Sequence, residues 1–393
     1  MEKNKAKKAA VCPVAKKCGG CEFQGMPYAE QLKHKEKRVR ILLDSFGKVH
    51  PIIGMKDPYH YRNKVHAVFD RDRRGNAISG VYQKGTHRVV PVDSCMIEDQ
   101  KADEIIVTIR GLLKSFKIKT YDEDTQYGLL RHVLIRRGFS TGEIMVVLVT
   151  ASPVFPSKNN FVKALRKVHP EITTAVQNIN DRGTSMVLGA RDVVLYGKGY
   201  IEDKLCGCTF RISPQSFYQV NPVQTENIYS QALSYAGLTG NETVWDLYCG
   251  IGTISLFLAR QAKQVYGVEI VPQAIDDARQ NAVRNGIDNA KFYVGKAEEV
   301  LPHLYETEGI FADVIVVDPP RKGCDEECLN TILKMRPKRL VYVSCDSATL
   351  ARDLKYLCSQ GYELKCGRAF DNFPMGGHVE TVIMMTYCGD KGK

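Results

Sequence analysis

The stretch "TVWDLYCGIGTISLFLARQAKQVYGVEIVPQAIDDARQNAVRNG", residues 243–286, decides the fold of the carboxyl-terminal half. A short apolar run, "TVWDLYCG", turns at Gly250 and Gly252 into "IGTISLFLARQA", which carries apolar residues at helical spacing. A second apolar run, "QVYGVEIV", then leads into the helical pattern "PQAIDDARQNAVRNG". Strands alternating with helices at this pace predict a doubly wound, Rossmann-like α/β sheet. The alternation continues outward. Upstream, "TENIYSQALSYAG" reads as a helix. Downstream, "AKFYVG", "ADVIVVDPP" and "RLVYVSC" read as strands, "SATLARDLKYLCSQG" as a helix, and two further strands close the chain.

Glycines between the first strand and its helix let the backbone approach a ligand and present the helix N-terminus to it. Glu269 closes the second strand 19 residues after Gly250. That is the offset at which a carboxylate reaches the hydroxyls of an adenosine ribose. The third glycine of the dinucleotide fingerprint is missing. The short G-x-G, with Asp246 before it, fits S-adenosylmethionine better than NAD. A plain tight turn is the competing reading.

Two further strand ends carry reactive groups. Asp318-Pro319-Pro320-Arg321 follows the fourth strand and Cys345 follows the fifth. In open α/β sheets both would reach the crevice where ligands bind. Most cysteines are small buried hydrophobes, and this chain has 13 of them, so position alone does not make Cys345 reactive. The chemistry that would need it is clear, however. The C5 of a pyrimidine is too weak a nucleophile to take a methyl group unaided. A thiolate adding to C6 gives C5 enolate character. A general base must afterwards remove the C5 proton, and Glu380, at the start of the next strand, is the candidate.

The first half of the chain reads differently. Residues 1–205 hold 36 Lys and Arg against 22 Asp and Glu, whereas residues 206–393 hold 19 against 22. The whole basic excess therefore lies in the first half, which points to an anionic partner there. Short alternating runs ("KVHAVFD", "ISGVYQ", "RHVLIRRG", "IMVVLVT") and one helix, "NNFVKALRKVHPE", predict an antiparallel or mixed α+β domain. Residues 28–46 show helical spacing of Leu32, Val39, Leu42 and Leu43, with lysines and arginines assigned to the remaining face. No signal peptide and no run of 18 apolar residues is present, so a cytoplasmic address and no membrane partner are expected. Cys12, Cys18 and Cys21 are spaced C-x5-C-x2-C in a loop-like segment, with Cys95 as a possible fourth ligand. In a reducing compartment such a set favours metal binding, and both zinc and an iron–sulfur cluster accept four thiolates.

"DPPRKG", sixteen residues, then "LVYVSCDSAT" resembles the signature of the RNA uracil-5-methyltransferases, which make 5-methyluridine in tRNA and rRNA. "FDNFPMGGHVE" resembles the second signature of that family, and the likeness, with "SFYQVN" and the glycine loop, covers most of residues 213–387. It implies a Rossmann-like S-adenosylmethionine-dependent methyltransferase domain over 206–393. It also implies Cys345 as nucleophile, Glu380 as base, and Gln219, Tyr248, Glu269 and Asp318 as cofactor contacts. Two positions depart from the pattern: Asp346 replaces the usual asparagine, and Gly376 the usual Ser or Thr. The subgroup acting on 23S rRNA carries a [4Fe–4S] cluster, and the resemblance extends to Cys12, Cys18, Cys21 and Cys95. Residues 1–27 are then an iron–sulfur cluster loop, 28–59 a helical segment packing on the catalytic domain, and 60–205 an α+β RNA-binding domain. Only eleven residues precede Cys12, so the small β-barrel common at this end of rRNA members is expected to be absent. Lys3, Lys5, Lys7 and Lys8 are expected to contact phosphates in its stead.

The expected activity is thus uridine C5 methylation in RNA, most specifically 23S rRNA. A tRNA methyltransferase, an exocyclic-amine methyltransferase, a non-catalytic metal-containing RNA-binding protein and a cluster-based redox sensor are the rivals. Arg321 argues against the exocyclic-amine enzyme, whose sites place a stacking aromatic residue after the two prolines.

Overall fold

A computed structural model describes residues 11–183 and 186–389, so the four amino-terminal lysines lie outside the described residues. The chain divides into two compact units. One comprises residues up to Pro27, Asp57–Lys204 and Arg211–Ser216; the other comprises Tyr28–Lys56, Leu205–Phe210 and Phe217 onward. Residues 211–216, expected in the carboxyl-terminal domain, group with the first unit.

The first unit is built on a seven-stranded sheet. Its strands run, across the sheet, Val89–Pro91, Ala77–Tyr82, Lys64–Arg71, Leu130–Arg137, Ile144–Thr150, Ile172–Ile179 and Arg191–Tyr196. All neighbours are antiparallel except Ile144–Thr150 and Ile172–Ile179, which the helix Lys158–Val168 connects as a crossover. Alternate residues of the strands (Val65, Ala67 and Phe69; Val133 and Ile135; Val146 and Leu148) form one apolar face. Ile105, Ile109 and Leu113 of the helix Gln100–Ser115, with Phe161 and Leu165 of the crossover helix, cover it. Asp99 caps the former helix by accepting a hydrogen bond from the Ala102 N–H at 3.0 Å.

The second unit contains eight strands: β1 (Val49–Ile53), β2 (Thr243–Leu247), β3 (Gln264–Glu269), β4 (Ala290–Val294), β5 (Val314–Val317), β6 (Arg339–Ser344), β7 (Tyr362–Phe370) and β8 (Glu380–Tyr387). Its helices are α1 (Tyr28–Leu43), α2 (Pro222–Ala236), α3 (Thr253–Ala259), α4 (Pro272–Arg284), α5 (Ala297–Glu308), α6 (Glu326–Met335) and α7 (Ser347–Ser359). The sheet order is β1-β7-β8-β6-β5-β2-β3-β4. β8 runs antiparallel to both neighbours and every other pair is parallel. The order reverses between β2 and β5, so the carboxyl ends of these strands flank the crevice where such sheets bind ligands. All four residues of β5 are buried, as befits a central strand covered on both faces. β1 is an edge strand, where Pro51 removes no needed ladder bond.

α1 corrects the sequence reading. Its buried residues are Gln31, Lys35, Val39 and Leu43, one every fourth position, so a lysine assigned to the solvent face lies in the interior. Cys208 opens the strand Cys208–Ile212, while Cys206 occupies a turn with φ of 51°.

Candidate active site

Strand register assembles the site. In the parallel ladders, Leu247 pairs with both Val268 and Val317. The next residue on each strand is therefore Tyr248, Glu269 and Asp318, a row across the carboxyl ends of β2, β3 and β5. In the antiparallel ladder Ser344 pairs with Thr381, and Phe370 pairs with Glu380 across β7 and β8. One step beyond Ser344 and one before Thr381 lie Cys345 and Glu380, facing positions on adjacent strands. Hydrogen-bonded strands are about 4.8 Å apart, so the two are neighbours by construction.

The glycine loop sits above this row. Tyr248 and Gly250 are left-handed, with φ of 69° and 53°. A Cβ on Gly252, whose φ is 83°, would meet Ala278 and Phe292 at 3.2 Å, so only glycine fits that turn. Glu269 binds the loop: its carboxylate accepts from the Gly250 N–H at 3.3 Å and the Val271 N–H at 3.0 Å. Asp246 lies beneath, almost wholly buried. One of its oxygens accepts the Ser255 hydroxyl at 2.5 Å, and among the described residues the other, Oδ1, has no hydrogen-bond partner. Burial pushes its carboxyl up to about 7, the Asp318 and Glu269 charges adding and the Ser255 hydroxyl opposing.

Around Cys345 the electrostatics are those of crowded acids. Burial pushes its thiol up to about 12; Glu380 and Asp318 add to this and Arg321 opposes it. Glu380, 4% exposed, is raised by burial to about 7, against the pull of the Asn372 amide and the Arg321 guanidinium. Asp318 is raised well above the carboxylate range by burial first and then by Glu380. Like-charged carboxyls crowded into a poorly solvated site cannot all ionise at neutral pH.

Helix α1 and the α2 N-terminus hold the loop between β7 and β8. Lys35, 1% exposed, donates to Asp371 Oδ1 at 2.5 Å and to the Phe373 carbonyl at 2.9 Å. Gln31 exchanges hydrogen bonds with Met375, donating to its sulfur at 3.1 Å and accepting from its N–H at 3.1 Å. Asn221 donates to the Asn372 carbonyl at 3.0 Å, and Gln224 to the carbonyls of Ile53 and Asp371 at 2.9 and 3.2 Å. This loop carries Asn372, which is fully buried and beside Glu380. Neither polar atom of its side chain has a well-formed hydrogen bond among the described residues.

The two departures from the family pattern are accommodated. Asp346 caps α7, accepting from the Ala348 and Thr349 N–H groups at 2.9 and 3.2 Å, a task asparagine performs equally. At Gly376 a Cβ would make an ordinary 3.4 Å contact with the Phe373 carbonyl, so no steric rule demands glycine there.

A family model described as tRNA (Uracil-5-)-methyltransferase matches residues 27–387. The chain belongs to that family. An uncharacterised RNA methyltransferase of Halalkalibacterium halodurans is 50% identical over 381 residues, 96% of this chain and 83% of the relative. One from Clostridium acetobutylicum is 47% identical over 98% of this chain and 85% of its own length. Among solved structures, the tRNA (uracil-54, C5)-methyltransferase of Pyrococcus abyssi, complexed with S-adenosyl-L-homocysteine, superposes with a TM-score of 0.78. That pair is 26% identical, covering 93% of this chain and 85% of the other. This uracil-5-methyltransferase is accordingly an S-adenosylmethionine-dependent enzyme acting on RNA.

The residues present fit that cofactor. A loop that excludes a Cβ at Gly252, a carboxylate at the end of β3 and an unpartnered buried oxygen on Asp246 together form a cradle for a polar, adenosine-bearing ligand. Gln219 lies in the half-buried segment leading into α2, in the same unit.

The cysteine set lies in the first unit. Cys12, Cys18, Cys21 and Cys95 are free and partly accessible. Burial pushes Cys21 up to about 11, with Cys18 and then Cys12 adding to the rise, so those three lie within electrostatic reach. Gln24 donates to the Met96 sulfur at 3.5 Å and so ties the cysteine loop to the segment bearing Cys95. Four thiols in one unit suit zinc or an iron–sulfur cluster. Among the described residues, however, no three Cys, His, Asp or Glu side chains already converge in metal-ligating geometry.

The roles of Lys35, Asp371 and Asn372 escaped the sequence reading. The signal available was "FDNFPMGGHVE", quoted for the family resemblance but not for its own Asp and Asn.

Proposed function

We propose that this enzyme methylates C5 of a uridine in 23S rRNA through a covalent adduct between Cys345 and C6, with Glu380 as general base. The observation that carries the mechanism is the β6–β8 register, which sets Cys345 opposite Glu380 at the ends of neighbouring strands. The target base is flipped out of its helix to reach them. The Cys345 sulfur, protonated at rest, gives up its proton to solvent as it bonds to C6, the electron pair of the C5–C6 double bond moves into a C4–O4 enolate, and the Arg321 guanidinium favours the anionic sulfur. Gln219, Tyr248, Glu269 and Asp318 would hold S-adenosylmethionine, which would supply an electrophilic methyl group for C5 to bond, the remainder leaving as the neutral thioether. Glu380 then takes the C5 proton, the C5–C6 double bond re-forms, and the sulfur leaves C6. A carboxylate with a pKa of about 7 is matched to that step at neutral pH. Asn372 places a buried carboxamide, with donor and acceptor atoms, beside Glu380, where it could meet the imide edge of uracil.

Cys12, Cys18, Cys21 and Cys95 are proposed to hold a [4Fe–4S] cluster, with zinc as the alternative metal, in an RNA-binding first unit. This supports 23S rRNA as the target. A second reading, tRNA, is favoured by the substrate named for the Pyrococcus abyssi enzyme. A cytoplasmic address fits both. Among the described residues no helix is long and apolar enough to cross a membrane.

Incubating the chain with S-adenosylmethionine and either transcribed 23S rRNA or tRNA, then mapping 5-methyluridine by mass spectrometry, decides the substrate. Product is expected in the rRNA. Product in tRNA alone selects the second reading, and turnover by Cys345→Ala contradicts the mechanism.

A further inference from the structure

The first unit contains a cavity of about 280 Å³ that the catalytic reading does not use, lined by His60, Arg62, Asn63, Asp99, Arg137 and Phe139 among others. Phe139 stands 60% exposed beside it. An exposed phenylalanine is commonplace on a mobile loop, but this one is held in place. The buried Asp203 carboxylate accepts from the Phe139 and Ser140 N–H groups at 3.0 and 2.8 Å, and the Thr141 hydroxyl donates to the Glu202 carbonyl at 2.6 Å. A buried carboxylate thus fixes a tight turn whose outward product is an aromatic ring facing water.

The opposite wall is also fixed. His60 is left-handed, with φ of 48°, and its Nδ1 lies 2.9 Å from the Glu98 carbonyl. The Arg62 N–H donates to the Ile97 carbonyl at 2.9 Å, and among the described residues its buried Nε has no hydrogen-bond partner. Arg137 donates to Asp99 at 2.6 Å, and that carboxylate also caps the helix Gln100–Ser115. The Arg62 and Arg137 guanidiniums line the cavity with the Asp99 carboxylate, and the Glu98 carboxyl within electrostatic reach of Arg62 is raised by burial to about 7. The volume of the cavity suits one nucleotide and excludes a duplex.

We propose that this pocket takes a single unpaired nucleotide of the RNA substrate, distinct from the methylated uridine, with its base stacked on Phe139 and its phosphate held by Arg62 and Arg137. Rings and guanidiniums in alternation are how proteins grip unpaired RNA. Fixing them in advance removes an ordering cost that a flexible loop would bear on binding. The proposal rests on RNA being the substrate but not on the Cys345 chemistry.

The test is the affinity of the full chain for a transcribed 23S rRNA fragment and for a transcribed tRNA, measured by fluorescence anisotropy across a salt series. Phe139→Ala should raise the Kd for the cognate RNA roughly tenfold, the worth of one stacked base, and Phe139→Trp should hold it near the parent value. Arg137→Gln should flatten the dependence of log K on log salt by roughly 0.7 to 0.9, one phosphate contact. S-adenosylmethionine affinity should stay unchanged in all three. With 4-thiouridine in the RNA, a photo-crosslink at Phe139 or its neighbours supports the site. Unchanged RNA affinity and salt slope in both Phe139→Ala and Arg137→Gln would overturn it. So would a loss of S-adenosylmethionine affinity equal to the loss of RNA affinity in all three variants, Phe139→Trp included, because the effect would then not be specific to RNA. A parent enzyme that binds RNA through this pocket yet forms no 5-methyluridine would count against the proposed reaction alone.

Discussion

Cys345 and Cys21 are both thiols that burial pushes upward, to about 12 and about 11, yet their neighbours differ in kind. Around Cys345 stand two carboxyls and a guanidinium; around Cys21 two more thiols come first, ahead of the Arg62 guanidinium and the Glu98 carboxyl. One occupies the rim of a sheet, where strand register fixes each side chain singly. The other lies in a loop whose one short helical turn, Ala15–Cys18, gathers several like groups together. A rim suits a reagent that must meet a particular carbon, and a loop suits a set of ligands that closes around something. The difference teaches that the surroundings of a cysteine, more than its own pKa, assign its chemistry.

Four predictions would break or sharpen that contrast. The largest effect belongs to the rim: Cys345→Ala should lower methyl transfer by at least about 10³-fold, as loss of a nucleophile does, with S-adenosylmethionine binding by calorimetry intact. Next comes the clamp that sets the rim. Lys35→Met leaves Asp371 charged and unpaired in the interior, and breaking a buried pair costs about 3–5 kcal/mol. Urea denaturation should register this; a change below about 1 kcal/mol would mean that water reaches the pair.

The third prediction concerns pH. Glu380 must be ionised to accept a proton, so kcat/KM should rise as pH passes through about 7. Folding has the opposite sign. A carboxyl raised in the folded state stabilises the fold at low pH, and that contribution is lost as pH climbs from the ordinary carboxylate range through about 7. Glu380→Gln should therefore gain thermal stability relative to the parent at pH 8 but not at pH 5. The smallest expected effect on the reaction lies in the loop: Cys95→Ser should abolish stoichiometric iron binding while the adduct chemistry at Cys345 survives. Equal loss of both would erase the contrast.

Much of the rim was legible in the sequence because it is local. Gly250, Gly252, Glu269, Asp318 and Cys345 each follow a strand whose apolar run announces itself. What was hidden is long-range. Lys35 and Asp371 are 336 residues apart, and a lysine on an amphipathic helix reads as solvent-facing until its partner is known. β1 escaped notice because Pro51 argues against a strand, a rule that fails at a sheet edge. Asn372 sits in a loop without periodicity, so only the fold shows it buried beside Glu380. The pairing of Cys345 with Glu380 is itself a matter of register, which no spacing in the chain displays.

The central claim is that this pairing performs a covalent addition and then a proton removal. Glu380→Gln, incubated with S-adenosylmethionine and transcribed 23S rRNA and run on a denaturing gel, tests it most directly. The expected result is a denaturant-resistant protein–RNA band, which nuclease digestion and peptide mass spectrometry assign to a methylated uridine on Cys345. Release of 5-methyluridine at the parent rate without such a band, or a band that persists in Cys345→Ala/Glu380→Gln, would contradict it.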